Sequence, residues 1–362
     1  MKPDEINGSG TQRELAAPLK ATRRGRRVGP LVARRLLFIP LALFGVITIS
    51  FLLVSLMPGD PALSILGTTA SAQEVADLRS KLGLDLPMPS RYGTYVLQVL
   101  SGDLGNSFFT GQPILGEIVK YMPASIELVV MALIVAFFLG VPLGAIAAYY
   151  RGRGADRVVR TGMAGLQAVP EFLAGLLLIF FFFYLLKLAP APTGRLGIID
   201  LPPPSRTGFL LVDSILAGNW KILGTALQRS FLPVATLALT AIPMFAKVTR
   251  TTTSAALASK QVAFARACGL PEWRVLYYAL LQARTAVLTY TAMLFGAMVG
   301  GSAIVETLFS WQGLGQWGLD AIIKLDIPAI QGFVIAMGLF TLLVYLVLDL
   351  VVVMLDPRIK ND

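Results

Sequence analysis

Six stretches of this chain are apolar over a length close to the thickness of a bilayer: residues 36–57, 128–150, 161–186, 230–246, 285–305 and 327–348. Five carry no charged side chain, and the third carries only Glu171. Such runs cannot stay in water. In hydrocarbon every backbone polar group must be satisfied internally, so near-continuous apolar segments of this length fold as helices. The expectation is an all-α integral membrane protein with six transmembrane helices.

Composition agrees with that reading. The mean hydropathy of +0.70 goes with 55% apolar and only 14% charged residues, far from a soluble average. The net charge of +10 does not point to nucleic acid, because the bases sit at the ends of the apolar runs, where they set orientation. There is no histidine and one cysteine. Cys/His and Ser/His/Asp catalysis are therefore excluded within this chain, as is an intramolecular disulfide. No Gly-Lys-Ser or Gly-Lys-Thr occurs, so the phosphate-cradling P-loop is absent and any ATP hydrolysis belongs to another chain.

Arg23, Arg24, Arg26, Arg27, Arg34 and Arg35 precede the first run and read as a positive-inside anchor. No small-residue cleavage pattern follows residues 36–57, so this run stays as the first span. Residues 58–123 hold more acids than bases and read as an outer loop, with short amphipathic helices around Val75, Leu78 and Leu82 and around Tyr92, Tyr95, Val96 and Val99. Arg151, Arg153, Arg157 and Arg160 place the next turn inside. Residues 189–229, rich in proline and glycine, form a second outer loop. In residues 307–326, Trp311 and Trp317 read as interfacial anchors, and Gly313, Gly315 and Gly318 as the means to a tight re-entrant turn. Of the 31 Lys and Arg residues, 21 fall inside and 10 outside, consistent with six spans and both termini cytoplasmic.

Residues 248–287 are neither apolar enough to span nor loose enough to be a linker. They read as two amphipathic helices broken once, because Gly269 can close a helix in the left-handed conformation and Pro271 is pre-set for the first turn of the next. Lys247, Arg250, Lys260, Arg266, Arg274 and Arg284 against the single acid Glu272 put this helix-turn-helix in the cytoplasm.

Ala265-Arg-Ala-Cys-Gly-Leu270 resembles the centre of the cytoplasmic EAA loop of bacterial ABC importer permeases. Leu56-Met-Pro-Gly-Asp-Pro-Ala62, Gly102-Asp-Leu-Gly105, Met122-Pro-Ala-Ser125, Val141-Pro-Leu-Gly144, Val305-Glu-Thr-Leu-Phe-Ser-Trp311 with Gly313-Leu-Gly315, and Asp356-Pro-Arg358 resemble the dipeptide/oligopeptide permease family in the same order. The chain departs from the family pattern at Ala255, Lys260, Cys268, Ala279 and Val287. The resemblance implies a type I ABC importer permease fold in the bacterial cytoplasmic (inner) membrane. Its domains would be a tail (1–35), a six-span permease domain (36–356) with an outer loop at 58–123 and coupling helices at 248–285, and a second tail (357–362). It implies a second permease subunit, two ATPase subunits or domains that bind ATP and Mg, and an extracytoplasmic substrate-binding protein. No cofactor is expected in this chain. Ala265, Arg266, Ala267, Gly269 and Leu270 would form the ATPase-coupling surface.

Glu171 follows Pro170 inside the third run. A carboxylate at that depth costs about 2.5–3.5 kcal/mol on insertion scales unless it meets a polar cavity or a partner. Two readings stand: a group in the translocation path, or a satisfied carboxylate at a helix kink. Glu127, Glu306 and Asp349 lie nearer span ends and read as structural. Cys268, between Arg266 and Arg274, reads as an inert small side chain rather than a redox switch. The rival function is an ion- or proton-coupled secondary transporter, which needs several titratable groups near mid-membrane and usually internal repeats. Only Glu171 qualifies, and no repeat is visible. A membrane enzyme would lack the usual catalytic groups.

Overall fold

The computed structural model describes residues 29–56, 61–66, 70–81, 83, 85–197 and 199–355. The arginines before residue 29, the C-terminal tail from residue 356 and the side chain of Asp349 lie outside what is described. The described residues are helical, with α1 (Gly29–Ser55), α2 (Pro61–Leu66), α3 (Ala72–Lys81), α4 (Met88–Leu100), α5 (Ile114–Tyr149), α6 (Gly154–Ala168) and α7 (Glu171–Leu178), which continues as a π-helical stretch, Ile179–Leu185. Then come α8 (Leu210–Leu216), α9 (Trp220–Leu257), α10 (Lys260–Ala267), α11 (Glu272–Gly301), α12 (Ala303–Leu308), α13 (Leu314–Ile323) and α14 (Ile327–Leu355). No strand occurs among these residues, in keeping with the all-α expectation.

Among the described residues three helices are long and apolar enough to cross a membrane: α5, α9, and α14 over Ile327–Val347. The third apolar run is not one straight rod. It is α6 followed by α7 and its π continuation, bent by 96° at the break. Pro170, which has no N–H to give, stands at that break as the residue before α7. In α1 the apolar part is shorter, Ile39–Ser55. α11 is long but begins with Glu272 and includes Arg274 and Arg284.

Two expected boundaries move. The helix of the second run begins at Ile114 rather than near residue 128, so the last turns of the expected loop 58–123 belong to α5, with Pro123 inside it. Likewise α9 starts at Trp220 and runs on to Leu257, well past the apolar run 230–246. The polar residues at both ends of these helices hid their continuity.

The centre of the bundle is the seam between α5 and α9. Gly140 and Gly144 on α5 lie directly on α9: a Cβ on Gly144 would stand 2.5 Å from the Ala246 carbonyl oxygen and 2.8 Å from Thr249 Cβ, and one on Gly140 would stand 2.6 Å from Phe245 Cβ. Ala132, Ala136, Ala238 and Ala241 are buried in the same core. Between membrane helices there is little hydrophobic driving force, and small residues that let backbones approach supply the packing instead. The expected amphipathic helix around Tyr92 is present as α4 and rests on α1, where the Tyr92 and Tyr95 hydroxyls meet those of Thr48 and Ser50 at 2.7 Å each.

At the far end of α5 from Tyr149, Asp326 joins the segment after α4 to the junction of α13 and α14. It accepts from the Ser107 hydroxyl and from the Phe108 N–H at 3.2 Å. Replacing Gly144 by valine should open the central seam, because the atom it meets is backbone and cannot swing away. Overpacking of this kind costs about 1–3 kcal/mol. The detergent-solubilised variant should show a lowered unfolding temperature, and an unchanged one would mean that the seam is not tight.

Candidate functional site

Residues 248–287 are divided twice rather than once. α9 stops at Leu257, and Ser259 then caps α10 by accepting the Val262 N–H at 3.4 Å. α10 runs only from Lys260 to Ala267, so the separate element is one short helix held between two long ones. Its second end follows the expected chemistry. Gly269 has φ +77°, the Gly269 N–H donates to Arg266 O at 2.9 Å, and the Leu270 N–H donates to Ala265 O at 3.2 Å. This pair of bonds is the Schellman closure, which needs a left-handed residue at that position.

Pro271 then precedes α11. Arg266 spans the turn, its Nε donating to Glu272 Oε1 at 2.9 Å and an Nη to Oε2 at 3.1 Å. Hydrogen bonding from Arg266 holds the Glu272 carboxyl below the ordinary glutamate range. Buried Val262 and Val275 anchor the two helices, while Phe264, 71% exposed, and Trp273, 66% exposed, project outward. The Arg274 guanidinium lies over the Trp273 ring at 5.1 Å. Ala265, Arg266, Ala267, Gly269 and Leu270 are thus together in one turn. The departures at Ala255, Lys260 and Cys268 are exposed, while Ala279 and Val287 are buried.

A second ionic contact holds the same end of the bundle. Asp156, near the start of α6, is buried and accepts from Arg250 of α9 through two bonds, Nε to Oδ1 at 2.6 Å and Nη to Oδ2 at 2.9 Å. The Gly152 N–H adds a third at 3.0 Å. Sequence reasoning counted Arg250 only among the bases of the helix pair and did not single out Asp156, since 94 positions separate them.

Glu171 is not brought to α10. It opens α7, which packs on α9 and α12, whereas α10 packs on α9 and α11. Its Oε1 is closed off from solvent and has no hydrogen-bond partner. Four residues earlier, Gln167 of α6 donates to the Met244 sulfur of α9 at 3.8 Å, and the Tyr290 hydroxyl of α11 donates to the same sulfur at 3.3 Å. Three helices therefore share a polar contact within the apolar part of the bundle. Nothing in the spacing of Gln167, Met244 and Tyr290 announced it. Only the presence of polar side chains in uncharged runs was a signal.

The segment after α12 departs from the sequence reading. Trp311 is 2% exposed and its indole N–H donates to the Ala124 carbonyl at 2.9 Å, so it belongs to the core and is no interfacial anchor. Trp317 is half-buried and stacks with Tyr121. The left-handed positions of the turn are Ser310 and Gln312, with φ 52° and 57°. The glycines serve close approach instead: a Cβ on Gly313 would meet Glu306 Oε2 and Ser125 Oγ at 2.5 Å. Glu306 is fully buried and satisfied, accepting from Ser125 Oγ at 2.6 Å, Ser302 Oγ at 2.7 Å and the Gln316 N–H at 2.8 Å. Glu127 is held by Arg195 and by the Leu211 N–H. Structural roles for these two acids agree with the sequence reading.

Comparison with known proteins gives the family. Residues 140–361 match the family described as "Binding-protein-dependent transport system inner membrane component", and residues 30–131 match the N-terminal family of the same membrane component. The chain belongs to this family. It is 38% identical over 320 residues to the probable D,D-dipeptide transport system permease protein DdpB of Escherichia coli K12, covering 88% of this chain and 94% of the relative. It is 34% identical over 335 residues to the di/tripeptide transport system permease protein DppB of Pseudomonas aeruginosa, covering 91% and 98%. With the glutathione transport system permease protein GsiC of Salmonella typhi it shares 32% over 330 residues, covering 91% and 98%. The chain is accordingly a multi-pass membrane permease component of an ABC transport system.

The Arg266–Glu272 bridge makes a pH prediction. Because the folded-state pKa of Glu272 is depressed below its ordinary 4.5, the bridge is intact above that value and is lost as pH falls through the lower folded one. A fluorophore on Cys268, the one cysteine of the chain, should keep a constant spectrum from pH 7 to about 4.5 and change below it. In Glu272→Gln this transition should be absent. A transition that persists in that variant would assign it to another group.

Proposed function

We propose that this permease imports peptides or a related small solute, driven by ATP hydrolysed on separate subunits. The observation that carries the reading is the short helix α10, closed by Gly269 and exposing Phe264, with Trp273 exposed at the start of α11. A transporter whose energy comes from another chain needs a rigid exposed element that fits a groove on that chain and passes its movement on. Ala265, Arg266, Ala267, Gly269 and Leu270 form this coupling surface. α10 is set between α9 and α11, and α9 is clamped to α6 through Asp156, so movement of α10 reaches the helices on either side of it.

In this reading the partners are a second permease subunit, two ATPase subunits or domains binding ATP and Mg, and an extracytoplasmic binding protein. Six spans cross the membrane, with α10 and both termini in the cytoplasm and α4, α8 and α13 outside. The names of the relatives, which cite dipeptides, di/tripeptides and glutathione, favour a small peptide-like solute. Gln167 and Tyr290, which meet at Met244, and Glu171 at the break before α7 line the translocation path, because polar groups at membrane depth turn toward a protein-covered or water-filled surface. Alternating access then follows from ATPase closure shifting the population between inward-open and outward-open states.

Topology is checked by labelling on a Cys268→Ser background. Gln98→Cys should react with an impermeant reagent from outside and Ser259→Cys should not, and the reverse pattern would overturn the orientation.

The coupling role is checked with Gly269→Val. A β-branched residue at φ +77° is strained by about 1–2 kcal/mol, so the Schellman turn must distort and α10 must tilt. In vesicles reconstituted with the partner subunits, ATP-dependent uptake should fall on the order of tenfold with the membrane subunits still folded. Uptake that needs an ion gradient and no ATP would instead favour a secondary transporter. Normal uptake and ATPase association by the variant would move the coupling surface elsewhere.

A further inference from the structure

Every residue from 249 to 254 except Arg250 carries a hydroxyl. Thr251 and Thr252 donate to the carbonyls of Lys247 and Val248, four positions back, at 2.8 Å each. The hydroxyl oxygens of Thr249, Thr253 and Ser254 are instead closed off from solvent with no hydrogen-bond partner in the chain. Thr249 and Thr253 are fully buried and Ser254 nearly so, so a neighbouring subunit does not reach them in this state. At Thr249 the α5 backbone lies so close that a Cβ on Gly144 would stand 2.8 Å from the threonine Cβ, which leaves no gap there for a bridging water.

Other buried hydroxyls of α9 are satisfied: Ser230 donates to Ala226 O at 2.6 Å and Thr236 to Leu232 O at 2.9 Å. A buried hydroxyl left unpaired raises the free energy of the state that holds it, and the penalty is relieved in a state that offers an acceptor. The nearest acceptors along the helix are the carbonyls of Phe245, Thr249 and Arg250, four positions before each hydroxyl. In the unbroken helix these belong to the backbone ladder. A bend loosens them, because ladder bonds on the outer side of a bend lengthen, and serine and threonine hydroxyls that bond such carbonyls favour the bent form. The place suits a bend as well. Threonine and serine are weak helix formers, Arg250 is fastened to Asp156 of α6, and α10 begins just beyond, at Lys260.

We propose that residues 249–254 are a hinge: the last turns of α9 bend about the Asp156–Arg250 clamp, and the hydroxyls of Thr249, Thr253 and Ser254, unpaired in the straight helix, bond backbone carbonyls in the bent one. Thr249 faces α5 at Gly144, and Thr253 lies one turn on along the same face of α9. That face is the outer side of the bend, so the end of α9 swings away from α5. The inference rests on the coupling reading above and adds to it the place where movement of α10 is taken up. The unpaired hydroxyls hold the straight state close in free energy to the bent one, so a modest push on α10 exchanges them.

The test compares Thr249→Val, Thr253→Val and the two together with the wild type. Valine keeps the β-branched shape and a similar helix propensity, so the hydroxyl is what changes. The unfolding temperature of the detergent-solubilised permease should rise by a few degrees, because an unpaired buried group is gone from the straight state. In the complete transporter in vesicles, ATP-dependent uptake should fall about tenfold, the scale of one or two hydrogen bonds lost from the bent state. Spin labels on Arg151→Cys and Ala258→Cys, in a Cys268→Ser background, report the bend directly. The wild-type transporter should show a second, longer distance whose share changes with nucleotide, and the double variant should lose most of it, while Thr253→Ser should retain it.

A lowered unfolding temperature in the single valine variants would overturn the proposal, since it would show the hydroxyls already bonded in the straight helix, to a trapped water for instance. Uptake and distances equal to the wild type would overturn it too, by showing the hydroxyls idle. If the double variant fails to assemble, the single variants give the same pair of readings. A wild type that imports with ATP but shows one distance throughout would remove the hinge and leave the coupling reading in place. A wild type without ATP-dependent uptake would remove the coupling reading, and the hinge with it.

Discussion

The rest of the structure depends on how closely α5 and α9 approach. At Gly140 and Gly144 the side-chain layer is missing, so the backbone of one helix rests on the carbonyls of the other, at Ile242 and Ala246. Membrane helices gain little from hiding apolar surface, since lipid is as apolar as they are. Contact geometry and internal polar bonds do most of the holding. The central seam fixes where the remaining helices can lie: α6 and α7 along α9, α11 against α9 and α5, and α14 against α11 and α1.

Around that seam the polar groups divide by function. At one end of α5, Ser125 and Glu306 tie down the loop that carries Trp311, with a bond for each group that the bilayer would penalise. At the other end, Asp156 and Arg250 fasten α6 to α9 just before α10 begins. The loop near Trp311 shows how completely such a network determines a conformation. Ser310 and Gln312 sit in the left-handed region at an ordinary cost of about 1–3 kcal/mol each, and the Trp311 and Gln312 N–H groups and the Trp311 indole all have acceptors that hold them there.

Much of this was legible in the sequence. Uncharged runs gave the helices of the membrane part. The Gly-Leu-Pro order at 269–271 gave the turn after α10, because only a glycine takes that backbone conformation cheaply. The stripe at Tyr92, Tyr95, Val96 and Val99 gave α4. Less visible was whatever depends on pairing at a distance. Helix ends were misplaced at Ile114 and Trp220 because polarity marks where a helix leaves the apolar layer, not where it stops. The break before α10 was missed because Ser259 is a modest signal amid four nearby hydroxyl residues. Trp311 was assigned to the interface on residue type, while its acceptor, Ala124, lies 187 positions away. At Gly313 and Gly315 the glycines were read as turn formers when they are there to be approached.

The Ser125–Glu306 bond has a consequence in time. Its two residues are separated by 181 positions, and at synthesis rates of 5–20 residues per second the second emerges roughly 10–40 s after the first. Through that interval the Ser125 end of α5 lacks its carboxylate partner, the indole that will cap Ala124 and the loop that covers both. This end of α5 is therefore completed only once the chain has been made as far as Gln316, whose N–H supplies a further bond to Glu306.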